Sequence, residues 1–398
     1  MLLALAELTL RRAPFLRFGR STLPWALLGA LALLLELLAG HAEIAYFALL
    51  VLAAFVGYRL LYRLATLPKT AWRAEVLAPA LSVALSVVLG LGLSAVQYLP
   101  LYEVVGASFR QGAVSLQDVL GWAYPQRRVL AFVIPNFFGN PTHRAFQDIF
   151  TGETIRATVN AYGNPVGAFD WGIKNYVEGG TYMGLLPLAL ALLAVLDAFR
   201  GPAGGEGIGR RFLKRVRQFF RQPYTPFFTL LALFALGCIF GTPLYALVYA
   251  LPLLNQSHSP FRWVFPLTIA VAALAGLGAT AVSTSRKPTA GSQGPAQGEG
   301  AFSRAVRWLG WGLLGSGGVL LAGLWASRLA FSRIEPWVTR LFWALAKAPE
   351  VFPDARTFYA YEFRWIQQAA LLLIVTGAVL RLSRCPIFLP RRLGRRPL

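Results

Sequence analysis

Acid, sulfur and histidine are what this chain is short of. Its 398 residues include 17 Asp and Glu, 3 His and 2 Cys. Charged residues of all kinds make up 14%, against roughly 25% in soluble globular domains. So little charge beside 56% hydrophobic residues excludes a soluble enzyme and a coiled coil. Cys238 sits within an apolar run and Cys385 beyond the last one, too few and too badly placed for a disulfide framework. The three histidines have no metal-ligand spacing, so no zinc site is spelled and no metal residue is assigned. Neither the phosphate-loop pattern GxxxxGK[ST] nor the nucleophile pattern GxSxG occurs, which argues against a nucleotide-driven pump and leaves no nucleotide cofactor expected.

What is present is apolar length and basic punctuation. A bilayer core takes roughly 20 apolar residues per helix. Eight runs approach that length: Thr22 to Ala39, Ile44 to Leu64, Val76 to Tyr98, Thr181 to Ala198, Thr225 to Phe240, Phe261 to Val282, Val306 to Trp325 and Trp365 to Leu382. The fifth is short unless Leu244 to Leu254 continues it past Gly241-Thr242-Pro243. Alternation with period two is absent, so the fold expected is all-α: a polytopic bundle of about eight spans with short helices in the outer loops.

Lys and Arg exceed Asp and Glu by a net +21, and they concentrate in alternate connectors rather than in a nucleic-acid-binding stripe. The bilayer is the expected partner and nucleic acid is not. The dense connectors are those with Arg11 to Arg20, Arg59 to Arg73, Arg200 to Arg221, Arg286 to Arg307 and six arginines from Arg381 to Arg396. Placing these inside gives a multi-pass membrane protein with both termini cytoplasmic. The division is then a three-span region 1–98, an outer loop region 99–180, a three-span region 181–283, a flexible linker 284–305, a two-span region 306–383 whose outer loop is 326–364, and a basic tail 384–398. All three histidines and most acids fall in the outer segments.

Two basic-side segments stand out. Lys287 to Gly300 is Gly/Pro/Gln/Ser-rich without an apolar face, and reads as linker. In RRFLKRVRQFFRQ, Phe212, Val216, Phe219 and Phe220 share a helical face among cations, the pattern of a helix lying on anionic lipid. The opening MLLALAELTL is too short to span and is followed, not preceded, by cations, unlike a signal peptide. It reads as the inner end of a helix whose partners lie upstream, or as a short amphipathic helix on the inner leaflet.

Four outer segments carry the candidate chemistry. The tight turn at Gly40, His41 and Glu43 brings two ionisable groups to the membrane boundary, although Gly40 also serves as a helix terminator and Glu43 as a first-turn acid. Ser115 with Asp118 is a helix-start pattern, and Pro135 to Pro141 (PNFFGNP) suits a loop dipping into the interface. Asp170 and Glu178 precede the fourth run. His258 and Arg262 precede the sixth, where an arginine either binds phosphate or reaches to lipid headgroups.

GHAEIAYF, AVQYLPLYEVVGASFR, PNFFG, YVEGGTYMGLLPLALALLA and LPLLNQSHSPFRWVFPLTIAVAALAGLG, taken in that order, resemble successive blocks of the YfhO family of bacterial membrane proteins. The first departs from the family's GHPQ-type motif at Ala42-Glu43. The resemblance implies a multispan protein similar to GT-C glycosyltransferases, which move a sugar from a polyprenyl-phosphate donor to a cell-envelope acceptor on the outer face. It also implies that an acidic first outer loop, and the spans around it, are not among these residues, so that the chain is inactive alone if that loop is essential. For such chemistry Asp170, Glu178 or Glu43 supplies the carboxylate, and Arg262, His258, Arg110 or His41 contacts the substrate phosphate. A divalent cation is the one cofactor left open. The competing reading is a non-catalytic transporter, flippase or scaffold subunit, for which the Gly241-Thr242-Pro243 break is the best sequence feature.

Overall fold

The computed structural model describes residues 1–16, 19–106, 114–172, 176, 180–200, 208–251, 259–285 and 301–383. It is an all-α membrane protein, with a single two-stranded hairpin among the described residues. The chain forms two compact units, Met1–Ala123 with Phe220–Ile269, and Tyr124–Phe219 with Ala270–Leu398.

The first unit contains α1 (Leu2–Leu10), α2 (Leu23–Leu38), α3 (Ala42–Thr66), α4 (Ala78–Gly106), α5 (Leu116–Gly121), α8 (Thr225–Ile239), α9 (Leu244–Ala250) and the start of α10 (Val264–Thr284). The helix α2 packs along α4, where Gly90 lies so close to Leu33 that a Cβ there would come within 2.9 Å of it. Phe55 of α3 packs against Phe227 and Phe228 of α8. The opening segment is a nine-residue helix, α1, whose Glu7 is bound by Arg59 of α3.

The second unit contains β1 (Ala145–Gln147) paired antiparallel with β2 (Thr154–Arg156), α6 (Leu185–Ala198), α7 (Ile208–Phe220), the rest of α10, α11 (Ala301–Leu329), α12 (Phe331–Ala344) and α13 (Ala355–Leu382). Long helices approach closely in lipid only where small residues let the backbones meet. A Cβ at Gly317 of α11 would lie 2.7 Å from the Ala370 carbonyl, and one at Gly377 of α13 would lie 2.6 Å from the Gly310 carbonyl. A separate aromatic core joins the hairpin region to α12 and α13, with Phe138, Phe146, Phe169, Trp171, Phe342, Phe352, Phe358 and Tyr361 buried together.

Every one of the eight apolar runs is helical, and their lengths differ. Among the described residues, five helices, Ala42–Thr66, Arg73–Val104, Pro260–Thr284, Ala301–Leu329 and Ala355–Leu382, are long and apolar enough to cross a membrane. At about 1.5 Å per residue the 16 residues of α2 reach about 24 Å, less than the roughly 30 Å core. The 14 residues of α6 reach less still. Val88 and Val96 of α4 and Val319 of α11 remain exposed, as lipid-facing side chains do. The linker 287–300 and the tail 384–398 lie outside the described residues.

Candidate functional site

In the second unit the segment PNFFGNP joins the aromatic core through Phe137 and Phe138. Its turn uses positive φ at Asn136 (54°) and Gly139 (83°), and Gly139 forms a β-bridge with Asp170. The Trp171 N–H donates to the Phe138 carbonyl at 3.0 Å and the Asn140 N–H to the Phe169 carbonyl at 2.8 Å. These bonds fix Asp170 beside the turn. A Cβ at Gly139 would sit 2.2 Å from the Phe169 carbonyl oxygen, at a φ that also disfavours alanine. Gly139→Ala is therefore expected to lower the unfolding temperature of the purified protein in detergent and to loosen this pocket, whereas Gly167→Ala, where a Cβ meets nothing and φ is not positive, has much the smaller effect.

Asp170, Arg128, Asn136, Tyr176, Thr181 and Tyr182 line one cavity of about 470 Å³. Arg128 comes from the 3₁₀ turn Gln126–Phe132 and is 6% exposed, its guanidinium 4.8 Å from the Tyr124 ring centroid and 5.4 Å from that of Phe138. Sandwiching between rings holds a planar cation in place at low entropic cost. Burial pushes the half-buried Asp170 carboxyl above its ordinary value, while the Gly172 N–H and the charge of Arg128 oppose that shift. The Asn136 amide oxygen accepts from the Tyr176 hydroxyl at 2.6 Å. Thr181 is 2% exposed and its hydroxyl has no protein partner among the described residues.

Behind the cavity, the Trp171 indole N–H donates to Glu362 at 2.9 Å across 191 residues of chain. His143 stacks on Trp365 and shares a 2.8 Å hydrogen bond with the Tyr361 hydroxyl. Burial and the neighbouring Arg364 push the His143 pKa down, so at neutral pH it is an uncharged structural member of the core.

The other sequence candidates fall elsewhere or outside view. In the first unit Glu43 forms an ion pair with Arg262, so a proposed base and a proposed phosphate ligand neutralise each other. His41 caps α3, its Nδ1 accepting from the Ile44 N–H at 3.4 Å, and Glu43 occupies the first turn of that helix. Beside this pair lies an apolar groove of about 680 Å³ lined by residues including Leu50, Ala54, Phe227, Phe234 and Trp263. Arg110, Glu178 and His258 lie outside the described residues. Among the described residues no cluster of three His, Cys, Asp or Glu side chains is placed to hold a metal ion.

Of the residues lining this cavity, the sequence singles out Asp170 as a candidate and does not single out Arg128, Asn136, Tyr176 or Thr181. One signal for Arg128 was available. It lies in a segment assigned to the outer side, where cations are sparse and each needs its own explanation. Compared with protein-family models, curated proteins and solved structures, the chain gives no match.

Proposed function

We propose that this chain is a membrane glycosyltransferase of the YfhO type, moving a sugar from a polyprenyl-phosphate donor to a cell-envelope acceptor. Its termini are on the cytoplasmic side of a bacterial inner membrane and the cavity of the second unit faces outward. One observation carries this reading: a half-buried carboxylate, Asp170, shares a cavity with a buried, ring-clamped arginine, Arg128. In this mechanism Asp170 accepts the proton of the acceptor hydroxyl, and Arg128 stabilises the charge that grows on the departing lipid phosphate. Tyr176, Tyr182 and the Asn136 amide supply the ring faces and hydrogen bonds a sugar needs. The orientation is supported by the basic connectors alone.

The test is release of label from radiolabelled polyprenyl-phosphate sugar by the purified protein in liposomes. Label leaves the lipid if the reading holds, and stays if it fails. The pH profile adds a sharper demand. A base must be ionised, and burial holds the proton on Asp170 longer, so transfer falls with pH through a pKa above the roughly 3.9 of an ordinary aspartate. An acid limb at or below that value contradicts the assignment.

A second reading, lipid transport without chemistry, is favoured by the apolar groove beside Glu43 and Arg262. It is also favoured by the break between α8 and α9, where Gly241 has φ 60° and a Cβ would lie 2.7 Å from Ala123. Movement of labelled lipid between leaflets, with no sugar released, distinguishes it.

A further inference from the structure

In the second unit, four helix ends border one cluster of apolar side chains. The helix α6 ends at Ala198, α10 at Thr284 and α13 at Leu382, while α11 begins at Ala301. They meet over a small core containing Leu193, Val282, Phe302, Val306 and Leu380. Adjoining that core at Phe302 is a cavity of about 590 Å³. Its apolar part is formed by Leu196, Phe199, Phe302 and Ala305, and its polar part by Arg200, Arg215, Ser285 and Ser303. The two arginines come from different segments, one at the end of α6 and one from α7. Arg200 lies over the Phe302 ring at 3.6 Å and is bound by Asp197 at 2.7 Å. Arg215 faces the same space from a helix with no acid.

The helix α7 supplies the second observation. Between Ile208 and Phe220 it carries Arg210, Arg211, Lys214, Arg215 and Arg217 and no Asp or Glu. Phe219 is buried and stacks on Phe199 at 4.4 Å, which fixes one end of its apolar face to the cavity wall. Toward the other end Phe212 is 66% and Leu213 68% exposed. A water-exposed surface rarely carries such apolar side chains amid so many cations. An anionic bilayer surface matches both, taking the rings and aliphatic chains below the phosphates and the guanidinium groups at their level.

We infer that this cavity holds the phosphate headgroup of an anionic membrane lipid, with Arg200 and Arg215 as its charge partners and α7 lying along the surrounding lipid surface. The position fits the ligand. A cavity bordered by helix ends and lined by two cations and two hydroxyls together with aromatic and aliphatic side chains offers both the charge and the apolar contact that a lipid headgroup and its chains require. The site involves neither Asp170 nor Arg128 and does not depend on sugar transfer.

The test uses the full chain, delipidated in detergent, and measures bound lipid by native mass spectrometry during titration with phosphatidylglycerol or, separately, phosphatidylcholine. Wild type is expected to bind phosphatidylglycerol about tenfold more tightly. The variant Arg200→Gln/Arg215→Gln is expected to lose that preference. Arg210→Gln/Arg217→Gln removes equal charge from α7 outside the cavity lining and is expected to keep it. The single variant Arg215→Gln, at an exposed helix position, guards against misfolding and is expected to lose part of the preference. Equal losses in the two double variants, or no preference in wild type, overturn the proposal. Inorganic phosphate is the remaining arm: if it binds alone and displaces phosphatidylglycerol, the ligand is a soluble phosphate and the lipid assignment falls.

Discussion

Asp170→Asn is expected to lower the turnover of sugar transfer by roughly 10²–10⁴-fold, the usual contribution of a positioned general base. Asparagine has the shape of aspartate, and it keeps the oxygen that accepts from the Gly172 N–H at 3.3 Å. The loss therefore falls on kcat, with KM little changed. Stability separates this result from misfolding. A carboxyl whose folded pKa is raised disfavours the folded state wherever it is ionised, which is at pH values above that pKa. Removing its charge should leave the unfolding temperature at neutral pH unchanged or slightly higher. Asp170→Asn with undiminished transfer removes this residue from the site, and a large loss of stability denies the geometry given to it.

Glu7→Ala is expected to destabilise the first unit by about 3 kcal/mol, the lower end of the range for breaking a buried ion pair. The Glu7 carboxylate accepts from Arg59 Nε and from the second Arg59 amino nitrogen, both at 2.9 Å, from Arg11 Nε at 2.7 Å and from the Tyr224 hydroxyl at 2.5 Å. Arg59 is 4% exposed, so truncating its partner leaves a cation buried in the bundle. The carbonyl of Pro223, 3.4 Å from Arg59, softens the penalty and is the reason for the lower figure. Burial alone would raise the Glu7 pKa, but the hydrogen bonds from Arg59, Tyr224 and Arg11 and the charge of Arg59 outweigh it and hold the pKa below its ordinary value. The stabilisation is accordingly complete above the unfolded glutamate pKa of about 4.3 and disappears as pH falls through the lower folded value. Denaturation midpoints in detergent across that window measure it, and a Glu7→Ala protein as stable as wild type at neutral pH refutes the lock.

The parts of the fold legible in the sequence are those written by local rules. Apolar runs become helices wherever they occur. Ser115 caps α5 by accepting from the Asp118 N–H at 3.2 Å, as its spacing to Asp118 predicts. The start of α13 was legible in principle and missed. Asp354 caps it through the Thr357 N–H at 2.7 Å, so the helix opens at Ala355 rather than at the apolar run from Trp365. Hydropathy detects the membrane-spanning part of a helix and not the polar turns that precede it. What no local rule carries is pairing across the chain. The bond of Trp171 to Glu362, the ion pair of Glu43 with Arg262, and the placing of Asp170 and Arg128 in one cavity depend on tertiary packing, and each residue alone reads as an ordinary polar group beside apolar sequence. Asp170 stands out as a candidate because acids are scarce and it stands just before a span, whereas Arg200 and Arg215 are hidden among many cations on the basic side.

The most direct test of the account is where the donor binds. A polyprenyl-phosphate sugar carrying a photoreactive group on the sugar, irradiated with the protein in liposomes and mapped by peptide mass spectrometry, reports this without requiring turnover. The account predicts label on the cavity lined by Arg128, Asn136, Asp170 and Tyr182, displaced by unlabelled donor and lost on Arg128→Gln. Label confined to the groove beside Arg262, or label on the cavity that unlabelled donor does not displace, contradicts it.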